Sequence, residues 1–307
     1  MTTHSPVVWG TFIGVVGALL ILDLGVLNRR THVLSHKEAL GWSAGIVSLA
    51  LLFGGFLWLE TSPKTALEYY AGYLIELSLS VDNLFVFLLI FQYFAVPAEL
   101  QPRVLKWGIF GAIVMRAVMI GAGALLLQRF TWIVYVFGGI LLITGLRMFK
   151  TDDTRIEPEH NPLVRLARKL IPVTPAYCDN HFFIRNASKA LFATPLFLVL
   201  LVVEWSDVVF AIDSIPAVFA VTRDPFVVYS SNLFAILGLR ALFFVLAGAM
   251  DRFHYLKPGV ALILLFVGAK MVASAWIHPS TVLSLAVIVT ILAGAVGLSL
   301  LRPRVDA

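Results

Sequence analysis

Charge is scarce in this 307-residue chain: 13% of residues are Asp, Glu, Lys or Arg, against 60% hydrophobic. An ordinary soluble domain carries about 25% charged residues. With a mean hydropathy of +0.91, the composition excludes a soluble globular fold. Cysteine is nearly absent; Cys178 stands alone, which excludes an intrachain disulfide framework and a cysteine-based zinc site. No G-x-x-x-x-G-K-[ST] string occurs, so a pump driven by its own P-loop ATPase is excluded. No nucleophile, cofactor motif or soluble catalytic stretch accompanies the acidic residues described below, so the chain is not expected to be an enzyme or to hold a cofactor.

What is present is apolar sequence in lengths that cross a bilayer, about 20 residues for a hydrocarbon core roughly 30 Å thick. Nine such runs are read: 7–27, 39–59, 66–94, 104–127, 132–148, 191–221, 226–250, 256–276 and 281–301. The expected fold class is therefore all-α, a single polytopic transmembrane domain. The first run lacks a basic start and is followed by Arg29 and Arg30 rather than a small-residue cleavage site, and reads as a true span.

Lys and Arg set the expected orientation, because basic loops stay on the cytoplasmic side. The loops holding Arg29, Lys106, Arg168 and Lys257 carry most of them, and the alternate loops only Lys64, Arg129 and Arg223. The N-terminus is thus expected outside the cell (inner) membrane and the C-terminus in the cytoplasm. The formal charge of +5 is a matter of cytoplasmic loops facing anionic lipid and implies no nucleic acid partner. The stretch from 150 to 189 is charged and contains proline, reading as a cytoplasmic loop with a short amphipathic helix around 163–170.

The middle of the chain resembles its later part. Phe110-Gly-Ala-Ile-Val-Met-Arg116-Ala answers Phe234-Ala-Ile-Leu-Gly-Leu-Arg240-Ala; Arg129-Phe130 answers Arg252-Phe253; Gly145-Leu-Arg147-Met148 answers Gly268-Ala-Lys270-Met271; Asp82-Asn83 answers Asp213-Ser214. Three spans recur as three, about 66–150 and about 190–276, leaving 7–27, 39–59 and 281–301 outside. An odd number of helices per copy turns the second copy upside down, the inverted arrangement from which many secondary transporters are built.

Acidic residues stand where apolar runs should exclude them. Span three reads Glu76-Leu-Ser-Leu-Ser-Val-Asp82-Asn83, and span six reads Glu204-Trp-Ser-Asp207 through Asp213-Ser-Ile-Pro216. A charge at mid-span costs about 2.5–3.5 kcal/mol on insertion scales. Arg116 and Arg240, also mid-span, compensate part of five acids, and a bound divalent cation would neutralise the rest. Structural Arg–carboxylate pairs, or carboxyls kept neutral in low dielectric, meet the same need. Mg²⁺, Ca²⁺ and Mn²⁺ favour oxygen ligands, and no His, Cys or Met stands beside these motifs. At 100° per residue Glu76, Ser80 and Asn83 share one stripe, Asp82 lies off it, and Asp213 faces away from Glu204 and Asp207. Pro216 is expected to kink its helix beside Asp213. Asp23 and Asn232 read as helix–helix hydrogen-bond partners, Glu68 as near the outer surface, and Arg147 and Lys270 as snorkelling.

The Glu76–Asn83 string, the run from Val96-Pro to Trp107-Gly, Glu204 to Pro216, Asp224-Pro-Phe and Ser231-Asn-Leu-Phe-Ala-Ile-Leu-Gly-Leu-Arg240 resemble the TerC family over nearly the whole chain, most closely its Alx-type branch. That resemblance implies manganese export from the cytoplasm, an association with tellurite resistance, and an acidic motif at Glu76, Asp82, Glu204, Asp207 and Asp213. Plastid relatives linked to membrane-protein insertion belong to the same family. The expected function is therefore a secondary transporter of Mn²⁺ with Glu76, Asp82, Asn83, Glu204, Asp207 and Asp213 as ligands, Arg116 and Arg240 as compensating charges and protons as counter-ion. The alternative is a non-transporting factor in metal or envelope stress, or an insertion assistant.

Overall fold

A computed structural model describes residues 4–22, 36–150, 162–185, 190–247, 255–276 and 280–301. It is all-α apart from one small hairpin. The helices are α1 Pro6–Ile21, α2 His36–Glu60, α3 Pro63–Tyr93, α4 Gln101–Arg129, α5 Ile133–Lys150, α6 Pro162–Leu170, α7 Pro195–Phe219, α8 Pro225–Ala247, α9 Leu256–Val272 and α10 Thr281–Leu301; the strands are β1 Phe183–Arg185 and β2 Leu191–Ala193. Among the described residues six helices are long and apolar enough to cross a membrane: α2, α3, α4, α7, α8 and α10. The described parts of α1, α5 and α9 are apolar but shorter, at 16, 18 and 17 residues.

Proline punctuates the helix starts. It occupies the first turn of α1, α3, α4 and α7, where a missing N–H costs no intrahelical bond and the fixed φ favours the helix. Ser62 caps α3 by accepting from Thr65 N at 3.1 Å, satisfying one orphan donor. The other end of α3 closes with Val96 N donating to Phe91 O at 2.9 Å and Ala95 N to Gln92 O at 3.0 Å. This is a Schellman arrangement, and it places Ala95 in the left-handed region at φ 48°.

These helices carry apolar residues all round, so packing position decides burial. Of the spanning segments, 89% of α8 and 69% of α3 are buried inside the protein, against 17% of α10. The pair α3 and α8 thus forms the centre, and α10 lies at the edge. Helices α3 and α7 pack on each other in the interior, α3 also packing on α8 and α7 on α4. The closest pairing is α5 on α9. A Cβ built at Gly138 would lie 3.0 Å from the carbonyl oxygen of Gly268, and one at Gly268 equally close to that of Gly138, so this approach requires glycine on both sides.

Three expectations are corrected. The sixth run does not begin as helix: Leu191–Ala193 pair antiparallel with Phe183–Arg185, because Thr194 and Pro195 start α7 only afterwards. Nor is α7 interrupted beside Asp213; it continues helical through Pro216 to Phe219. Pro216 sits one turn from the C-terminus, where the loss of one N–H bond is easily absorbed. The third concerns Asn232: it is buried, but its Nδ2 has no hydrogen-bond partner, so this amide is not a helix–helix donor. The short amphipathic helix appears as α6, set on α7 through Val164 and Ala167. Asp23 and the Arg252-Phe253 pair lie outside the described residues.

Candidate functional site

Mid-length in the bundle, one arginine joins three helices. Arg116 on α4 is 1% exposed; its Nη1 donates to Glu76 Oε2 on α3 at 2.6 Å, and its Nη2 reaches Asp207 Oδ1 on α7 at 3.4 Å. Glu76 is fully buried and Asp207 is 2% exposed. Away from water a lone carboxylate is costly, and the ion pair offsets that cost only where the remaining lone pairs are also satisfied. Here they are not: Glu76 Oε1, Asp207 Oδ2 and Arg116 Nε have no partner.

Further unsatisfied polar atoms continue along the same two helices. Ser80 Oγ and Asn83 Nδ2 on α3, and Ser214 Oγ on α7, are buried without partners. Glu76, Ser80 and Asn83 follow at helical steps of four and three, and Asp207 and Ser214 at seven, so each set runs along one stripe of its helix. Buried polar atoms are normally hydrogen-bonded, and a row of exceptions points to a place where water or an ion completes the coordination.

Glu204, one turn before Asp207, occupies a separate niche. A side chain at Gly111 on α4 would collide with its carboxylate, so the absence of a Cβ there opens the space. Sequence periodicity gave no signal for Gly111. Asp213 lies elsewhere: with Leu79, Asn83, Thr144 and Arg147 it lines a cavity of about 500 Å³ between α3, α5 and α7. A second cavity, about 460 Å³, opens at the opposite end, between Lys64, Glu68, Thr222, Lys270 and Ser274. There Thr222 Oγ1 donates to Glu68 Oε2 at 2.6 Å, and Lys270 Nζ to Ser284 Oγ at 3.0 Å. Arg240 is also buried, at 5% exposure.

The structure therefore brings together Glu76, Asp207 and Arg116, places Asn83 and Asp213 on one cavity, and sets Glu204 against α4. The side chain of Asp82 lies outside those described. Among the described residues no three His, Cys, Asp or Glu side chains gather closely enough to hold a metal ion.

A bundle of apolar spanning helices with a guanidinium–dicarboxylate cluster buried inside it defines an integral membrane protein with a charged interior. The sequence profile of the integral membrane protein TerC family matches residues 61–307. The chain belongs to that family. It is 52% identical over 300 residues to an uncharacterized membrane protein of Myxococcus xanthus, covering 98% of this chain and 94% of the relative. It is 47% identical to the "Putative membrane-bound redox modulator Alx" of Escherichia coli K12, covering 95% and 93%, in keeping with the Alx-type branch. An uncharacterized membrane protein of Rickettsia bellii is 41% identical, with 97% and 98% covered. No solved structure matches.

Proposed function

We propose that this protein is a secondary transporter that moves a divalent cation, Mn²⁺, out of the cytoplasm across the inner membrane, with its N-terminus outside and its C-terminus in the cytoplasm. The observation that carries this reading is the pair of buried acids on α3 and α7, each keeping one carboxylate oxygen without a partner. Hard cations seek such oxygens, and the ligand set is Glu76, Asp82, Asn83, Glu204, Asp207 and Asp213. The choice of Mn²⁺ among hard cations comes from the family resemblance.

Nine spans built on an inverted three-helix repeat complete the proposal, and internal correspondences support it. Glu76 stands six residues before Asp82, and Asp207 six before Asp213; these matching acids are the two that meet on Arg116. Gly138 precedes Gly145 by seven residues, as Ala261 precedes Gly268. The close approaches are Gly138 to Gly268 and Gly145 to the Ala261 carbonyl, so exchanging α5 and α9 returns the same two contacts. The cavities at the two ends correspond as well: Arg147 and Met148 line one, Lys270 and Met271 the other. Alternating access would widen each in turn, the first already reaching Asp213 and Asn83. Protons are the proposed counter-ion, carried by the same carboxylates.

A redox role, which the name of the Escherichia coli relative suggests, has less support here. Cys178 is the only cysteine, and its Sγ lies 3.6 Å from Ala176 O in the connection before α7. The stress-factor or insertion-assistant reading draws on the Arg116 ion pairs as purely structural clamps. Mn²⁺ flux in proteoliposomes separates the readings: Asp82→Asn, Asp207→Asn and Asp213→Asn are expected to abolish it. Undiminished flux in all three would sink the site.

A further inference from the structure

We infer that Arg116 is a tethered cation competing with the transported metal: it offsets one of the two charges on Glu76 and Asp207 while the site is empty, and metal entry displaces it. The inference rests on the reading above, in which Glu76 and Asp207 belong to the transport site.

The geometry differs from that of a structural clamp. An arginine that fixes a carboxylate does so most strongly through two parallel N–H···O bonds to one acid. Arg116 instead divides its two terminal nitrogens between acids on different helices, closely to Glu76 at 2.6 Å and loosely to Asp207 at 3.4 Å. One oxygen of each acid and the guanidinium Nε make no hydrogen bond to another protein atom. The trio is therefore buried without being saturated. A half-satisfied buried network is a poor stabiliser, but its open oxygens give an incoming ion a first foothold before the arginine leaves.

Charge then dictates the role. Without Arg116 the empty site would hold two bare carboxylates at mid-membrane, and any rearrangement carrying them through the closed bundle would meet a steep penalty. With Arg116 between them one of the two charges is balanced in place, and a single proton, the proposed counter-ion, balances the other while the empty protein closes and returns. A guanidinium stays protonated under all physiological conditions, so this neutraliser is permanent. When a divalent cation binds the same oxygens, repulsion between the two cations drives the arginine aside. Arg116 thus links the helix α4 to the occupancy of a site formed by α3 and α7.

The test uses the full-length protein and Mn²⁺, with three readouts: Mn²⁺ affinity in detergent, net Mn²⁺ efflux from proteoliposomes, and exchange of radiolabelled Mn²⁺ at equal concentrations on both sides. Removing a competitor tightens binding, so Arg116→Gln is expected to bind Mn²⁺ more strongly, by roughly 5- to 150-fold, the usual span of a coupling between two ligands. It is also expected to lose net efflux while retaining exchange, because only the empty return step needs the arginine. Arg116→Lys keeps the charge but cannot span both acids; it should bind Mn²⁺ more tightly than the wild type and still perform net efflux. Weaker or unchanged Mn²⁺ binding in either variant, or equal loss of efflux and exchange in Arg116→Gln, would overturn the inference and leave a structural clamp. Wild-type protein that neither binds nor moves Mn²⁺ would reject the transport reading itself, and this inference with it.

Discussion

Glu68 and Glu76 stand on the same helix, eight residues or about 12 Å apart, and their surroundings treat them in opposite ways. Glu68 borders an open cavity and accepts from the Thr222 hydroxyl at 2.6 Å, with Lys64 Nζ at 3.8 Å. Thr222 Oγ1 in turn accepts from Asp224 N at 3.2 Å. Asp224 caps α8 by accepting from Phe226 N at 3.0 Å and meets His4 Nε2 at 2.6 Å. Glu76 has no exposure and its partner is one guanidinium. Where water can reach, neutral donors and a weak surface pair suffice. Where it cannot, a full counter-charge is needed, and its removal leaves a buried ion. The first arrangement holds helix ends together; the second ties the middles of three helices around one buried charge.

Arg116→Ala should produce the largest effect, a loss of about 3–5 kcal/mol from stranding two buried acids, read as the melting temperature in detergent. A change no larger than that of Lys64→Ala would erase the contrast between the two clusters. Next in size, Asp207→Asn should cost about 1.5–3 kcal/mol as one charged hydrogen bond weakens, and remove stabilisation by Mn²⁺. Glu68→Gln should cost under about 1 kcal/mol and leave the Mn²⁺-induced shift intact. Equal metal responses in these two variants would break the division of labour.

Gly111→Ala sharpens the picture at the third acid. The added methyl meets the far end of the Glu204 side chain, which can swing aside, so stability should fall by no more than about 1–3 kcal/mol while Mn²⁺ flux drops. Unchanged flux would remove Glu204 from the site. A pH-dependent effect belongs to Tyr177, outside the spans, whose hydroxyl donates to Phe94 O at 2.8 Å and whose burial pushes its pKa up to about 12. Tyr177→Phe should cost about 1 kcal/mol at neutral pH. A pKa raised on folding stabilises below the unfolded value of about 10 and is lost as pH rises toward 12. The gap between wild type and Tyr177→Phe should therefore close over that range in thermal melts.

Much of this was legible in the chain. The apolar runs located α2, α3, α4, α8 and α10, because a helix that must bury every backbone polar group in lipid leaves a continuous apolar signature. The acids on α3 and α7 stood out for the same reason, as did Arg116. Other features left no trace: the hairpin ahead of α7 is three residues on each side, too short for any periodicity. Gly111 is one glycine among 22, distinguished only by the carboxylate facing it.

The sequence by itself determined that this is an all-α integral membrane protein of the TerC family with charges buried on two helices, since composition, run length and motif are properties of the chain alone. Only the tertiary structure decided that Arg116 meets Glu76 and Asp207, 40 and 91 residues away, while Asp213 opens on a cavity. Helical period fixes the direction of a side chain around its own axis, but which helix lies in that direction is set by packing between segments distant in sequence.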